Sequence, residues 1–284
     1  MTNIKTITKF GKGLGKNTVI LAGVHGDESY GVRMLEKLIP KLKIEKGKVT
    51  FIYANLEAIK QNKRFVEYNL NRCFLKDQPD EMKNSLEGKT AREIMPFLEE
   101  AEITLDLHAS ATPSSTPFII CQPPGFEFAK ILPAQIISYN WDLFEPGSTD
   151  HYMNIQNKIG LCIECGCLKD KSCEDIGKEA VISFLKKTKN IVGTPKIKKN
   201  QKFLKLVSLY KNIFGPFKTN RKFSDFEKLK ENELIGFDWK KKILAKKEDI
   251  ILFARDRKLR NQECFLILKE TLLKVKDDKR KWKQ

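Results

Sequence analysis

Short apolar runs that alternate with amphipathic helical stripes constrain this chain more than any other feature. Residues 17–24 (NTVILAGV) form an apolar run ending at His-Gly and read as a buried strand. Residues 27–42 follow with Tyr30, Met34, Leu35, Leu38 and Ile39 on one helical stripe. Residues 48–55, 102–109, 116–122 and 159–165 repeat the strand signal, and 88–100 and 172–190 repeat the helical one. Strands interleaved with helices require a layered α/β domain whose sheet is largely parallel or mixed. A composition shift near residues 192–195 (VGTP) marks a boundary. Beyond it the apolar stretches are short and strand-like, at 203–210, 212–217, 249–254 and 264–268, which predicts a small β-rich domain over 193–284 after the larger α/β domain over 1–192.

Composition narrows the function classes. With 41% hydrophobic residues in 284, a packed core is expected. No apolar run reaches the roughly 18 residues that a spanning helix needs, so no membrane partner is expected. The first residues carry charge without an apolar core, so no secretory signal is expected. The seven cysteines are odd in number and irregularly spaced, which fits reduced thiols in a cytoplasm. Cys162, Cys165 and Cys167 read as buried free thiols, because no matching second cysteine pair accompanies them. The net charge of +17 lies almost wholly after residue 190. Its lysines are scattered between apolar residues, with no nucleic-acid motif, so a nucleic-acid partner is not expected.

Three histidines occur, and two of them, His25 and His108, close predicted strands. In open α/β sheets ligands bind beyond the carboxyl ends of the strands, so both can face one crevice. Glu28 stands three residues after His25, at the first turn of the next helix. Imidazole and carboxylate together suit zinc, and three protein ligands leave a position for water. The stretch Arg64 to Arg72 offers Asn71 and Arg72, an amide beside a planar cationic fork, which suits a carboxylate. Glu164 interrupts an apolar strand, where a buried carboxylate is costly unless a cation repays it.

Taken in order, His25-Gly-Asp-Glu28, Arg64, Asn71-Arg72, Asp106-Leu-His108 and Glu164-Cys-Gly166 resemble the succinylglutamate desuccinylase/aspartoacylase family of zinc carboxypeptidase-like hydrolases. The resemblance covers about residues 17–190, and residues 230–236 and 249–253 resemble the family's C-terminal β domain. It implies a three-layer α/β/α domain with a mixed sheet and one Zn2+ held by His25, Glu28 and His108. It implies Arg64 at the scissile carbonyl, Asn71 and Arg72 on a substrate carboxylate, and Glu164 as base and then acid. The expected reaction is hydrolysis of an amide in a small N-acyl amino acid or related acylated amine. A zinc carboxypeptidase acting on peptides, and a basic polyanion-binding protein with a vestigial metal site, are the alternatives. Asp150 and Asn154 stand where aspartoacylases place a Tyr and an Arg for a second carboxylate, and Phe265 stands for a C-terminal Tyr. N-acetylaspartate is therefore not the expected substrate, and His151 and Tyr152 are candidates to line the pocket instead.

Overall fold

The computed structural model describes residues 2–113 and 115–272. Its contacts divide the chain into two compact units, Met1–Gln201 and Lys202 onward. Residues 193–201, expected in the second domain, stay with the first: the Lys198 amide donates to Lys130 O and its ammonium pairs with Glu179.

The first unit runs β1 (Lys5–Phe10), β2 (Gly13–Ala22), α1 (Tyr30–Leu38), β3 (Lys46–Tyr53), α2 (Leu56–Gln61), α3 (Asp80–Asn84), α4 (Leu86–Glu100) and β4 (Ile103–Ser110). It continues with β5 (Phe118–Cys121), α5 (Phe126–Ala129), β6 (Ile136–Tyr139), α6 (Thr149–Asn154), β7 (Ile159–Cys167) and α7 (Ser172–Lys187). Its strands lie in the order β1-β3-β2-β4-β7-β5-β6. The central four are parallel, while β1 runs antiparallel to β3 and β5 antiparallel to β7, so the sheet is mixed. β1 escapes a sequence reading because KTITKF is an edge strand with almost nothing buried.

Strand alternation distributes the helices over both faces. Val19 and Leu21 of β2 pack with Ala91, Ile94 and Leu98 of α4 and with Tyr152 and Met153 of α6. Ala22 and Leu107 point the other way, where Gly31 lets α1 approach closely, and α1 meets α7 on that side. The side chains of Asp106 and His108 alternate with Leu107 and so face α6.

Helices α1 and α7 end inside their expected limits, and α4 begins two residues before its expected start, each for a local reason. Residues 25–28 form a turn, with the Glu28 amide donating to His25 O, so α1 begins only at Tyr30. It gives way at Ile39–Lys41 to a tighter 3-10 turn containing Pro40, which has no N–H to donate. α4 is capped by Ser85, whose side chain accepts from the Gly88 amide at 3.0 Å. α7 stops before Asn190, a fully buried residue. The Asn190 amide accepts from Thr18 Oγ1 at 2.8 Å and donates to Lys16 O and Lys46 O, tying the helix end to β2 and β3.

The second unit contains β8 (Lys202–Lys211), β9 (Phe217–Thr219), β10 (Glu227–Lys228), β11 (Leu234–Asp238), β12 (Lys241–Leu244), β13 (Ile250–Leu252) and β14 (Glu263–Glu270). Antiparallel β8-β14-β13-β10 and the three-stranded β12-β11-β9 enclose a core of Phe217, Ile235, Ile251 and Phe265. Residues 212–217, expected to be a strand, form a loop over 212–216, and only Phe217 enters a strand, β9. Three of its amides are drawn to the buried Asp238 carboxylate and are lost to any ladder. All seven cysteines are free thiols.

Glu87 ties this framework to the segment carrying Arg64 and Asn69. Its fully buried carboxylate accepts from the amides of Val66 (2.7 Å), Glu67 (3.2 Å) and Tyr68 (3.1 Å), and from Asn55 Nδ2 (3.2 Å). Removing a buried acceptor that serves one buried and three partly buried donors costs more than an ordinary hydrogen bond. Glu87→Ala is expected to lower unfolding free energy by about 2–4 kcal/mol, read by urea titration; a loss below about 0.5 kcal/mol would show that those amides find other partners.

Candidate active site

Three side chains converge at the carboxyl ends of β2 and β4. Their ligand atoms, from His25, Glu28 and His108, lie within 4.8 Å of one another, and all three residues are buried. Glu28 Oε1 is 2.8 Å from His25 Nδ1, and Glu28 Oε2 is 3.0 Å from His108 Nδ1. The two imidazoles bring their Nδ1 atoms to 3.1 Å. Gly26 makes this turn possible: a Cβ there would fall 2.2 Å from the Ala58 carbonyl carbon, so only glycine lets the His25 turn lie against α2.

Outer partners lie beside both rings. His25 Nε2 donates to Asn69 Oδ1 at 3.0 Å, and Asp106 Oδ2 lies 3.1 Å from His108 Nε2. Asp106 is itself held by Thr149 Oγ1, which donates to it at 2.6 Å. A proton on each outer nitrogen leaves each Nδ1 lone pair facing inward, the tautomer a metal ligand requires. Burial is the largest influence on His25 and lowers its pKa to about 4, which keeps the ring neutral. Burial opposes the Glu28 carboxylate, but the two imidazoles outweigh it and hold the group well below its usual range. Burial likewise opposes a charged His108, but Asp106 and Glu28 raise its pKa well above the ordinary value. The pocket thus calls for a positive charge between Glu28 and the two Nδ1 atoms, and a divalent cation fits that donor set.

The other expected residues are placed as follows. Arg64 Nη1 stands 3.2 Å from Glu28 Oε1 with its side chain about half exposed. Glu164 is the register neighbour of His108 across β4 and β7, which puts the two side chains on one face. Asn71 Oδ1 accepts from the Thr149 amide at 3.3 Å, joining the Arg72 segment to α6. Arg72 is engaged: its Nη2 lies 2.6 Å from Glu145 Oε1. Gly147 keeps that region close, because a Cβ there would meet Arg72 O at 2.5 Å. His151 is half-buried, and its Nδ1 accepts from the Gly147 amide at 3.2 Å. Tyr152, expected at the pocket, is turned away from it. Helical spacing points it into the α4 core, where its hydroxyl donates to Glu99 at 2.6 Å.

A sequence reading misses Asn69 as the His25 anchor and Glu145 as the partner of Arg72. Asn69 sits within the quoted arginine segment, but nothing in its spacing ties it to His25. Glu145 lies in a loop of Pro, Gly and Ser that carries no periodic signal.

The chain is similar in sequence and in fold to proteins of one family. A model of the succinylglutamate desuccinylase/aspartoacylase catalytic domain matches residues 14–186. Succinylglutamate desuccinylase of Pseudomonas paraeruginosa is 38% identical over 64 residues, 21% of this chain and 19% of that protein. A probable aspartoacylase of Acaryochloris marina is 26% identical over 164 residues, 53% of this chain and 55% of that protein. These matches thus span about a fifth to about half of the curated relatives' length. In fold, the chain is similar to a succinylglutamate desuccinylase structure from Vibrio parahaemolyticus at a TM-score of 0.78 and 16% identity, covering 95% of this chain and 92% of that one. A succinylglutamate desuccinylase/aspartoacylase structure from Rhodobacter sphaeroides aligns at 0.70 and 19% identity, covering 95% and 89%.

Asp150, beside Thr149, carries a pH signature. Burial first, and the nearby Asp142 second, raise its pKa to about 7. The folded chain therefore holds a proton that the unfolded chain has lost between roughly pH 4 and pH 7. Stability from this group is fully present below that window and is lost as pH rises through it. Asp150→Asn is expected to melt above the parent at about pH 8 and to converge with it toward about pH 4. An offset that stays constant across that range would contradict the assignment.

Proposed function

Because the chain belongs to the succinylglutamate desuccinylase/aspartoacylase family, we propose that it is a zinc-dependent hydrolase cleaving an amide bond of a small N-acyl amino acid or related acylated amine. The observation that carries this reading is the buried His25–Glu28–His108 triad, with both Nδ1 atoms and both carboxylate oxygens turned inward. A zinc ion held there would supply Lewis acidity, the means by which water becomes nucleophilic near neutral pH and a carbonyl is polarised.

The remaining work falls to the chain's own residues. Glu164, beside His108 in the sheet, takes the proton from the attacking water and returns it to the leaving nitrogen. Arg64 presents its guanidinium at the triad, where it can steady negative charge developing on the carbonyl oxygen, an effect worth roughly 3 kcal/mol. Asn71 and Arg72 are the groups suited to a substrate carboxylate. Glu145 now occupies the Arg72 fork, so a substrate carboxylate must displace it or bind the remaining donors. Asp106 and Asn69 act through the histidines and hold their orientation.

The test uses metal-loaded protein with N-acyl amino acids and, in parallel, short peptides. Glu164→Gln is expected to retain one zinc per chain and to lower kcat by roughly 10²- to 10⁴-fold, whereas His25→Ala loses the metal. Full activity in Glu164→Gln would remove Glu164 from the chemistry. Release of C-terminal residues from peptides, with no turnover of acyl amino acids, would make the chain a carboxypeptidase.

A further inference from the structure

Three segments meet along one rim of the second unit. Asn212, fully buried, joins two of them: its Nδ2 donates to Gly215 O and, at 2.7 Å, to Leu259 O. The backbone adds to this, with Asn261 N donating to Asn212 O at 2.7 Å. Asp238 brings in the third segment. Its buried carboxylate accepts from the amides of Ile213 (2.9 Å), Phe214 (3.2 Å) and Gly215 (3.1 Å). The next residue, Trp239, sits at the turn between β11 and β12 and donates its amide to Pro216 O at 3.0 Å. Its ring lies against Gly215, where an added Cβ would come within 3.2 Å of indole Cε3.

Four large apolar side chains project from this rim: Ile213 is 56% exposed, Phe214 43%, Trp239 61% and Leu259 69%. Leaving such surface in water is unfavourable, and two buried polar anchors hold it there. Its three segments are rich in cations, with Asp256 and Glu263 beside them in sequence and Lys211 4.0 Å from Glu263. Residues 211–217, 239–242 and 257–262 contain seven lysines and arginines and no aspartate or glutamate. Lys241 Nζ stands 4.8 Å from the Phe214 ring centre.

We propose that this rim docks the protein peripherally on an anionic lipid bilayer. Aromatic rings settle at the headgroup level, aliphatic tips reach the acyl boundary and ammonium groups pair with anionic headgroups. Single-stranded nucleic acid needs open aromatic faces on which bases stack. Here Lys241 covers one face of Phe214, Trp239 leans on Gly215, and Ile213 and Leu259 offer no ring. The expectation of no membrane partner rested on the lack of a spanning segment. Among the described residues no helix is long and apolar enough to cross a membrane, and that does not bear on surface contact.

The full chain is mixed with vesicles of phosphatidylcholine alone or with added phosphatidylserine, and sedimented. Retention is expected only with phosphatidylserine, falling as salt rises. The double variants Ile213→Ser/Leu259→Ser and Lys240→Glu/Lys241→Glu are each expected to weaken it by roughly tenfold or more, with unchanged circular dichroism and melting. Trp239 emission is expected to shift to the blue on those vesicles, a change absent from Trp239→Phe. Equal retention of parent and variants would place binding elsewhere, for instance in the lysine-rich stretch after residue 272, and overturn the proposal. No retention on either vesicle would overturn it as well. So would salt-dependent capture of a single-stranded oligonucleotide that vesicles do not compete.

Discussion

The Glu28 carboxylate, bridging His25 Nδ1 and His108 Nδ1 out of contact with water, is the interaction on which the first unit's candidate site is organised. An isolated buried carboxylate is costly, and two neutral imidazoles do not neutralise it. Arg64 repays part of the cost at Oε1, and a proton on His108 or a cation bound by all three residues would add the rest. The Ala109 amide adds a donor at 3.1 Å to Glu28 Oε2. Much of the surrounding structure holds these three groups against their mutual crowding.

That support reaches outward in steps. Asn69 bonds the His25 ring and Asp106 lies 3.1 Å from the His108 ring, Thr149 holds Asp106, and Asn71 accepts from the amide of Thr149. Glu87 gathers the 66–68 amides just before Asn69. The segment between α2 and α3 is irregular in backbone yet multiply bonded, which suits a loop that must hold Arg64, Asn69, Asn71 and Arg72 in place. The Arg72–Glu145 pair gives this side of the site a different electrostatic character from a bare arginine fork. An arginine already partnered is a weaker lure for a second carboxylate.

The second unit uses the same device for another end. Asp238 collects three loop amides and the Tyr210 hydroxyl, and Asn212 staples the loop to its neighbour. Phe265 stacks on Tyr210 at 5.0 Å within this unit's core. Buried polar anchors thus hold an apolar, cationic rim that packing alone would draw inward.

The sequence by itself determined the layered α/β domain, the strand-end positions of His25 and His108, the three-residue step to Glu28 and the family pattern. Burial periodicity and local spacing are properties of neighbouring residues, so they survive in one dimension. It also marked the β-rich second unit, although not the loop at 212–216, because a side chain far along the chain competes for its amides. Only the tertiary structure decided which partners close the site. Asn69 on His25, Glu145 on Arg72, Glu87 under the arginine loop and the turning of Tyr152 to Glu99 join residues distant in sequence. No local period encodes such pairs, because they follow from how the sheet and its helices pack.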